Sequence, residues 1–185
     1  MAVKAAALFV KNGYLKTTIR DIARECGVSI GALYYYIRSK DDILSLFQEI
    51  TSAGLQRFTE KRLSALYEMS PRDAIGCAID DLISFVDATQ DITVFWYQEA
   101  RNLKPEQRSV LFQSEEFQVD LLKKILQWGC DRGEFNITDV DLAAHDIMVL
   151  CDMWAFRRWY LRKHYTLEQY KQAQKSLLLA RLTGD

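Results

Sequence analysis

The stretch from Thr17 to Lys40, TTIRDIARECGVSIGALYYYIRSK, limits what this chain can fold into more than any other. Ile19, Ile22, Ala23 and Cys26 recur at helical spacing and stop at Gly27; after Val28 and Ser29 the pattern restarts with Leu33 and Ile37. Thr17 or Thr18 can cap the first helix, and Asp21 stands three residues after Thr18, where it can reach back as the second half of a capping box. Gly27 falls where a helix ends in a left-handed residue, and Ser29 offers an oxygen to the free N–H groups of the next helix. Two short helices joined by so tight a turn must cross steeply, which is the form of a helix-turn-helix.

With Leu33 and Ile37 turned inward, the second helix leaves Gly31, Ala32, Tyr34, Tyr35 and Arg38 on its other faces. Small residues permit close approach to another surface, and tyrosines add hydroxyls and flat rings, the mixture a helix needs to enter a major groove and grip the phosphates beside it. Lys40 would stand beside the positive end of the following helix, where a phosphate is favoured twice over. A capped pair with exposed tyrosines also suits an ordinary helical bundle, and charge separates the two readings. Residues 1–40 hold seven Lys/Arg against Asp21 and Glu25, a net of +5, whereas the whole chain carries −1, so residues 41–185 carry −6. A basic head on an acidic body fits a polyanion at one end only.

The run from Ala5 to Leu44, with LFVKNGYLKTTIRDIA, then GVS, then GALYYYIRSKDDIL, resembles the DNA-binding domain of the tetracycline-repressor (TetR) family of bacterial transcription regulators. The resemblance implies phosphate contacts from Thr17 or Thr18, Tyr34, Tyr35 and Lys40, and base-edge reading from Arg20 and the region of Ile30, Gly31 and Ala32, with Ser29 also among the DNA-binding residues. Ile30 cannot donate a hydrogen bond, so its contact would be apolar, for instance with a thymine methyl. Family members usually carry a basic arm ahead of this segment; here Met1 stands almost inside the first helix, so the arm is expected to be trimmed or its contacts absent.

The remainder reads as helix throughout. Hydrophobic residues make up 49%, both prolines (Pro71 and Pro105) stand at helix starts, and no glycine-rich linker or internal repeat interrupts the chain. The expected fold is all-α: a three-helix DNA-binding domain with its helix-turn-helix over residues 1–44, then a helical ligand-binding and dimerisation domain over 45–185. Helix 4 would start at the Ser39 cap and carry Ile43, Leu46, Phe47, Ile50, Leu55, Phe58, Leu63 and Leu66 to about Tyr67, a rod of roughly 40 Å that could act as a lever. Ser70-Pro71-Arg72-Asp73 starts helix 5, expected to end near Ala88; a shorter helix would cover 91–102, and Pro105 would open helix 7, running to Gly133. Thr138 with Asp141 would cap helix 8, running to about Arg162, and Thr166 with Gln169 would cap helix 9.

Helices 8 and 9 are apolar on more than one face, through Ile147, Val149, Leu150, Trp154 and Trp159 and then Tyr170, Ala173, Leu177, Leu178 and Leu179. The simplest occupant of the second face is another copy of the chain, because a two-fold dimer meets two DNA half-sites; in the resembled family these last two helices form the dimer interface. Four cysteines, Cys26, Cys77, Cys130 and Cys151, match no zinc or redox spacing and are expected to be free thiols. No signal peptide and no apolar run of ~18 residues is present, so the protein is expected in the cytoplasm with no membrane partner.

Polar residues within the apolar helices of the body, among them Glu99, Arg101 and Arg158, are paired, solvated or set around a polar ligand. The aromatics Trp96 and Trp154 could line a cavity or fill a core. Two short motifs, Glu99-Ala-Arg-Asn-Leu-Lys-Pro-Glu and Arg158-Trp-Tyr-Leu-Arg162, resemble the branch of the family that senses acyl-CoA thioesters. That likeness implies an acyl-CoA effector with Trp96, Glu99, Arg101, Trp154, Arg158 and Arg162 as ligand contacts; Trp154, Arg158 and Arg162 fall four apart on one stripe. No catalytic residue, metal site or cofactor is expected. His145 and His164 are too isolated for a triad, and the literal G-x-S-x-G at Gly27 to Gly31 follows a helix where a hydrolase elbow needs a strand. The reading is therefore of a ligand-responsive DNA-binding regulator, most simply a repressor, binding an operator as a homodimer. The alternative is a small-molecule or protein-binding module of the same fold that does not read DNA.

Overall fold

The computed structural model describes residues 1–47, 49–50 and 68–184. The described elements are α1 (Ala2–Asn12), α2 (Ile19–Cys26), α3 (Ile30–Tyr36), α4 (helical over 40–47), α5 (Pro71–Glu99) with a 3-10 turn at Ala100–Asn102, α6 (Pro105–Asp131), α7 (Val140–Phe156), α8 (Arg158–His164) and α9 (Leu167–Thr183). Among the described residues there is no strand, and the protein is all-α. The expected course of helix 4 through Leu55, Phe58, Leu63 and Leu66 to Tyr67 lies outside the described residues.

Helix ends follow local chemistry in most places. Thr18 caps α2 in a full capping box: its Oγ1 accepts from the Asp21 N–H at 3.2 Å, and Asp21 Oδ2 accepts from the Thr18 N–H at 3.0 Å. Gly27 ends the helix in the left-handed region at φ 71°. Ser39 with Asp42 and Thr166 with Gln169 make the same reciprocal pairing, whereas Ser70 Oγ accepts from the Asp73 N–H and donates to the Asp73 carboxylate. The start of α7 differs from expectation. Asp139, not Thr138, is the cap, its carboxylate accepting from the Leu142 N–H at 2.9 Å. A carboxylate is the stronger acceptor and is favoured by the helix dipole.

One expected break stands where it was expected and one boundary moves. Helix 5 and the short helix after it meet at a kink inside α5, where Thr89 leaves helical geometry (φ −118°, ψ 16°). The single helix expected to reach Arg162 is instead broken at Arg157 (φ −105°, ψ 20°), which separates α7 from α8.

The chain divides into two compact units that do not follow chain order. The first takes its described residues from 1–53 and 89–113, the second from 54–88 and 114–185. In the first, Phe9 is the centre of an aromatic core, with Tyr14 at 5.0 Å, Phe95 at 5.3 Å and Phe47 at 6.0 Å between ring centroids. Ile22, Leu33 and Ile37 of the helix-turn-helix are fully buried there, and so are Ile92 and Phe95 from the far end of α5. The second unit buries Ile75, Ile79 and Ile83 of α5, Leu122 and Leu126 of α6, Ile147 and Trp154 of α7, and Tyr170 and Leu178 of α9. Gly129 lets the chain fold back after α6: a Cβ there would collide with the Phe135 ring, and its carbonyl accepts from the N–H groups of Glu134 and Phe135. All four cysteines are free thiols. No helix among the described residues is long and apolar enough to cross a membrane.

Candidate nucleic-acid interface

α3 owes its exposed face to its shortness. Ser29 Oγ accepts from the Ala32 N–H at 3.0 Å and fixes the start; at Ile37 the backbone turns extended (φ −136°) and the helix stops. Leu33 and Ile37 are 1% exposed, and every other residue from Val28 to Tyr36 faces solvent, Tyr35 at 84%. Burying a tyrosine side chain is favourable, so three consecutive exposed tyrosines are an uncompensated apolar surface unless something else covers them. Tyr36, which sequence periodicity did not single out, is exposed as well and meets Tyr35 edge-on at 5.1 Å. On a continuing helix it would lie near the Leu33 face. The stop at Ile37, two residues ahead of the Ser39 cap that opens α4, frees it.

Gly31 bears on what approaches this face. Its φ is not positive, so the backbone does not require glycine, and a Cβ built on it would meet no atom of the described residues within 4 Å. The protein's own packing leaves that space open. A side chain at this place would therefore be felt only by a surface arriving from outside.

The other candidate residues separate by exposure. Thr18, Arg20, Ser29, Ile30, Gly31, Ala32 and Tyr34 are exposed. Thr17 is 1% exposed, its hydroxyl donating to the Gly13 carbonyl at 2.9 Å, so of the two threonines only Thr18 is open to a partner. Lys40 is half-buried: its ammonium donates to the carbonyls of Tyr14 (2.8 Å) and Leu15 (3.4 Å) and lies 4.5 Å from the centre of the Tyr14 ring. Two carboxylates of the head, Asp21 and Asp42, are tied to the backbone. Hydrogen bonds from Thr18, and from Arg38 and Ser39, hold the Asp21 and Asp42 carboxyls below their ordinary range. These charges sit at helix starts, where N–H groups offset them.

The ligand candidates fall within separate units. In the first, Trp96 is 7% exposed and packs against Phe95 and Phe47, Glu99 Oε1 accepts from the Tyr14 N–H at 3.3 Å, and Arg101 is exposed. In the second, Trp154 and Arg162 meet across the break at Arg157, both donating to Asp87 Oδ1 at 2.7 Å, with Arg158 half-buried nearby in sequence. Trp154 also stacks on Tyr170, with 5.0 Å between centroids. Asp87 was not foreseen, since only the tertiary fold brings it to Arg162, 75 residues on.

Comparison with known proteins gives the same account. A family model described as bacterial regulatory proteins, tetR family, matches residues 3–46, and one described as tetracyclin repressor-like, C-terminal domain, matches residues 68–173. The regulator HbdR of Aromatoleum sp. (strain CIB), an HTH-type transcriptional regulator, is 28% identical over 176 residues, covering 95% of this chain and 75% of its own. Among solved structures, FadR of Bacillus subtilis in complex with stearoyl-CoA superposes with a TM-score of 0.71 at 24% identity, covering 98% of each chain. AibR in complex with isovaleryl coenzyme A and operator DNA does so with a TM-score of 0.73 at 19% identity, covering 98% of this chain and 95% of its own. With its helix-turn-helix and more than half its length beyond that matched in this way, the chain belongs to the TetR family of DNA-binding bacterial transcription regulators.

Proposed function

We propose that this protein is a homodimeric repressor that leaves its operator when an acyl-CoA binds, with residues 1–44 reading DNA and residues 45–185 sensing and dimerising. The observation that carries the DNA reading is the empty space around Gly31 beside the exposed Tyr34 and Tyr35, a helix face left open by its own fold. Ile30, Gly31 and Ala32 would meet base edges, with Arg20 and Ser29 at their margin, while Thr18, Tyr34, Tyr35 and Lys40 would meet phosphates.

The dimer reading rests on α9. Gln172, Ala173, Ser176, Leu177 and Ala180 are all exposed and uncharged, and Leu177 is 61% exposed. An uncharged helix face with an exposed leucine suits a second copy better than water.

The effector reading draws on two things. FadR and AibR have been solved with acyl-CoA thioesters bound. In this chain, Trp154 and Arg162 present an indole and a guanidinium together, with the guanidinium carbon 5.6 Å from the ring centre. Trp154 is 2% exposed, so it is the Arg162 guanidinium, its side chain 45% exposed, that a phosphorylated head would meet. A ligand releases DNA only by binding the non-DNA spacing of the two heads more tightly, by ~3 kcal/mol for a shift on the order of 150-fold.

The test is a gel shift of pooled genomic fragments at low salt, followed by addition of acyl-CoA thioesters of graded chain length. Retardation that one chain length reverses supports the whole reading. Retardation that no thioester reverses removes the effector, and no retardation removes the regulator. Native mass spectrometry of the purified protein checks the effector independently.

A further inference from the structure

Tyr14 collects more of the first unit's polar contacts than its place in a turn would suggest. Its phenol donates to Asp41 Oδ1 at 2.7 Å, its N–H donates to Glu99 Oε1 at 3.3 Å, and its carbonyl accepts from the Lys40 ammonium at 2.8 Å, which also lies 4.5 Å from its ring centre. The ring is 9% exposed and packs on Phe9 and Phe95. Burial and the Asp41 carboxylate keep the phenol protonated, so it remains a donor at every ordinary pH. The other Asp41 oxygen pairs with Lys104 at 2.6 Å, a contact 63 residues apart in sequence. Asp41, in the first turn of α4, thus joins the turn between α1 and α2 to the segment after α5.

We infer that Asp41 is a positioning residue for DNA binding: by accepting from Tyr14 and pairing with Lys104, it fixes the turn whose carbonyls aim the Lys40 ammonium at a phosphate. The inference rests on the reading that the head binds duplex and that Lys40 meets its backbone. An ammonium has three N–H donors, and the Tyr14 and Leu15 carbonyls take two of them, which leaves one with a set direction. If the Tyr14 ring and carbonyl shift, that direction is lost although Lys40 itself is unchanged. Lys104 would then bias DNA affinity through Asp41 without meeting DNA, which gives the 100–104 segment a route to the head.

The sign of one substitution separates this from simple electrostatics. Asp41→Ala removes a negative charge beside a basic head, so charge alone predicts tighter binding to DNA. The inference predicts weaker binding, by about 5- to 10-fold for every duplex alike, the loss expected when one oriented contact is gone. It also predicts that the slope of log affinity against log salt falls by about one, as it should for Lys40→Met.

The experiment measures binding of a genomic duplex selected by the parent protein, across a salt series, for Asp41→Ala, Lys40→Met, the double variant and Tyr14→Phe. Support is a double variant no weaker than Lys40→Met alone, with Tyr14→Phe weakened in the same direction and thermal melts near the parent's. Asp41→Ala binding as tightly as the parent or more so, or losses that multiply in the double variant, would overturn the inference while leaving the DNA reading intact. Should Asp41→Ala fail to fold, Tyr14→Phe decides, since it removes only a hydroxyl and leaves the charge alone; unchanged affinity and salt slope would then refute it. A parent that binds no duplex counts against the regulator reading instead.

Discussion

Arg162 stands over Trp154 with its guanidinium carbon 5.6 Å from the ring centre, although the helix that would have carried both is broken between them at Arg157. Asp87 holds the two together, accepting from each at 2.7 Å. The arginine side chain is 45% exposed and the aspartate 34%, so solvent screens the ion pair. Asp87→Ala is expected to lower stability by about 1 to 2 kcal/mol in urea unfolding, and to shift the emission of Trp154 as its buried N–H loses its acceptor. A variant as stable as the parent would show that the contact is incidental.

Gly31→Ala should split stability from function. An alanine is better than glycine in a helix by up to ~1 kcal/mol, and none of the described residues obstructs the methyl group, so the melting temperature should hold or rise. DNA affinity should fall by about tenfold or more if a groove floor lies against that position. Ile30→Ala or Ala32→Ser should instead change which sequence is preferred, as read by selection from a random duplex pool. A Gly31→Ala protein that binds DNA normally would place the interface elsewhere.

Leu177→Arg puts a charge on the uncharged face of α9. Sedimentation should show monomer where the parent is a dimer, with DNA binding weakened because the two heads are no longer linked. Helical content should not change, since the side chain is already in solvent and surface substitutions usually stay within about 0.5 kcal/mol. A dimer that survives this substitution would require a different interface.

Glu115 offers a check on pH dependence. Burial pushes its carboxyl above the ordinary value of 4.5, and the charge on His145 opposes this only in part. A carboxyl raised in the folded state contributes stability that is present below its unfolded value and is lost as pH rises through the folded one. Glu115→Gln, which stays neutral, should therefore raise the melting temperature near neutral pH and leave it unchanged below about pH 4. An equal effect at both pH values would point to packing rather than charge.

The capped ends of the helices were legible because each depends on groups three residues apart. Thr18 with Asp21, Ser39 with Asp42, Ser70 with Asp73 and Thr166 with Gln169 could each be read from the chain, as could the left-handed turn at Gly27. Where two local solutions competed the sequence was ambiguous. Thr138 and Asp139 could both cap α7, and the carboxylate won. Thr17 and Thr18 were equivalent by type until the Gly13 carbonyl took the Thr17 hydroxyl. The break at Arg157 was harder still: nothing in the residues around it is a strong helix breaker.

What the chain alone determined is its local grammar: helix, turn, cap and the basic helix-turn-helix, all set by hydrogen bonds and apolar spacings within one or two turns. What only the tertiary structure decided is which residues meet. Phe95 entered the aromatic core beside Phe9, Asp41 came between Tyr14 and Lys104, and Asp87 took up both Trp154 and Arg162. These contacts join residues from 27 to 86 positions apart. Periodicity says that a face must be buried but not against what, because many apolar partners give nearly the same free energy, and only the simultaneous packing of all the helices selects one.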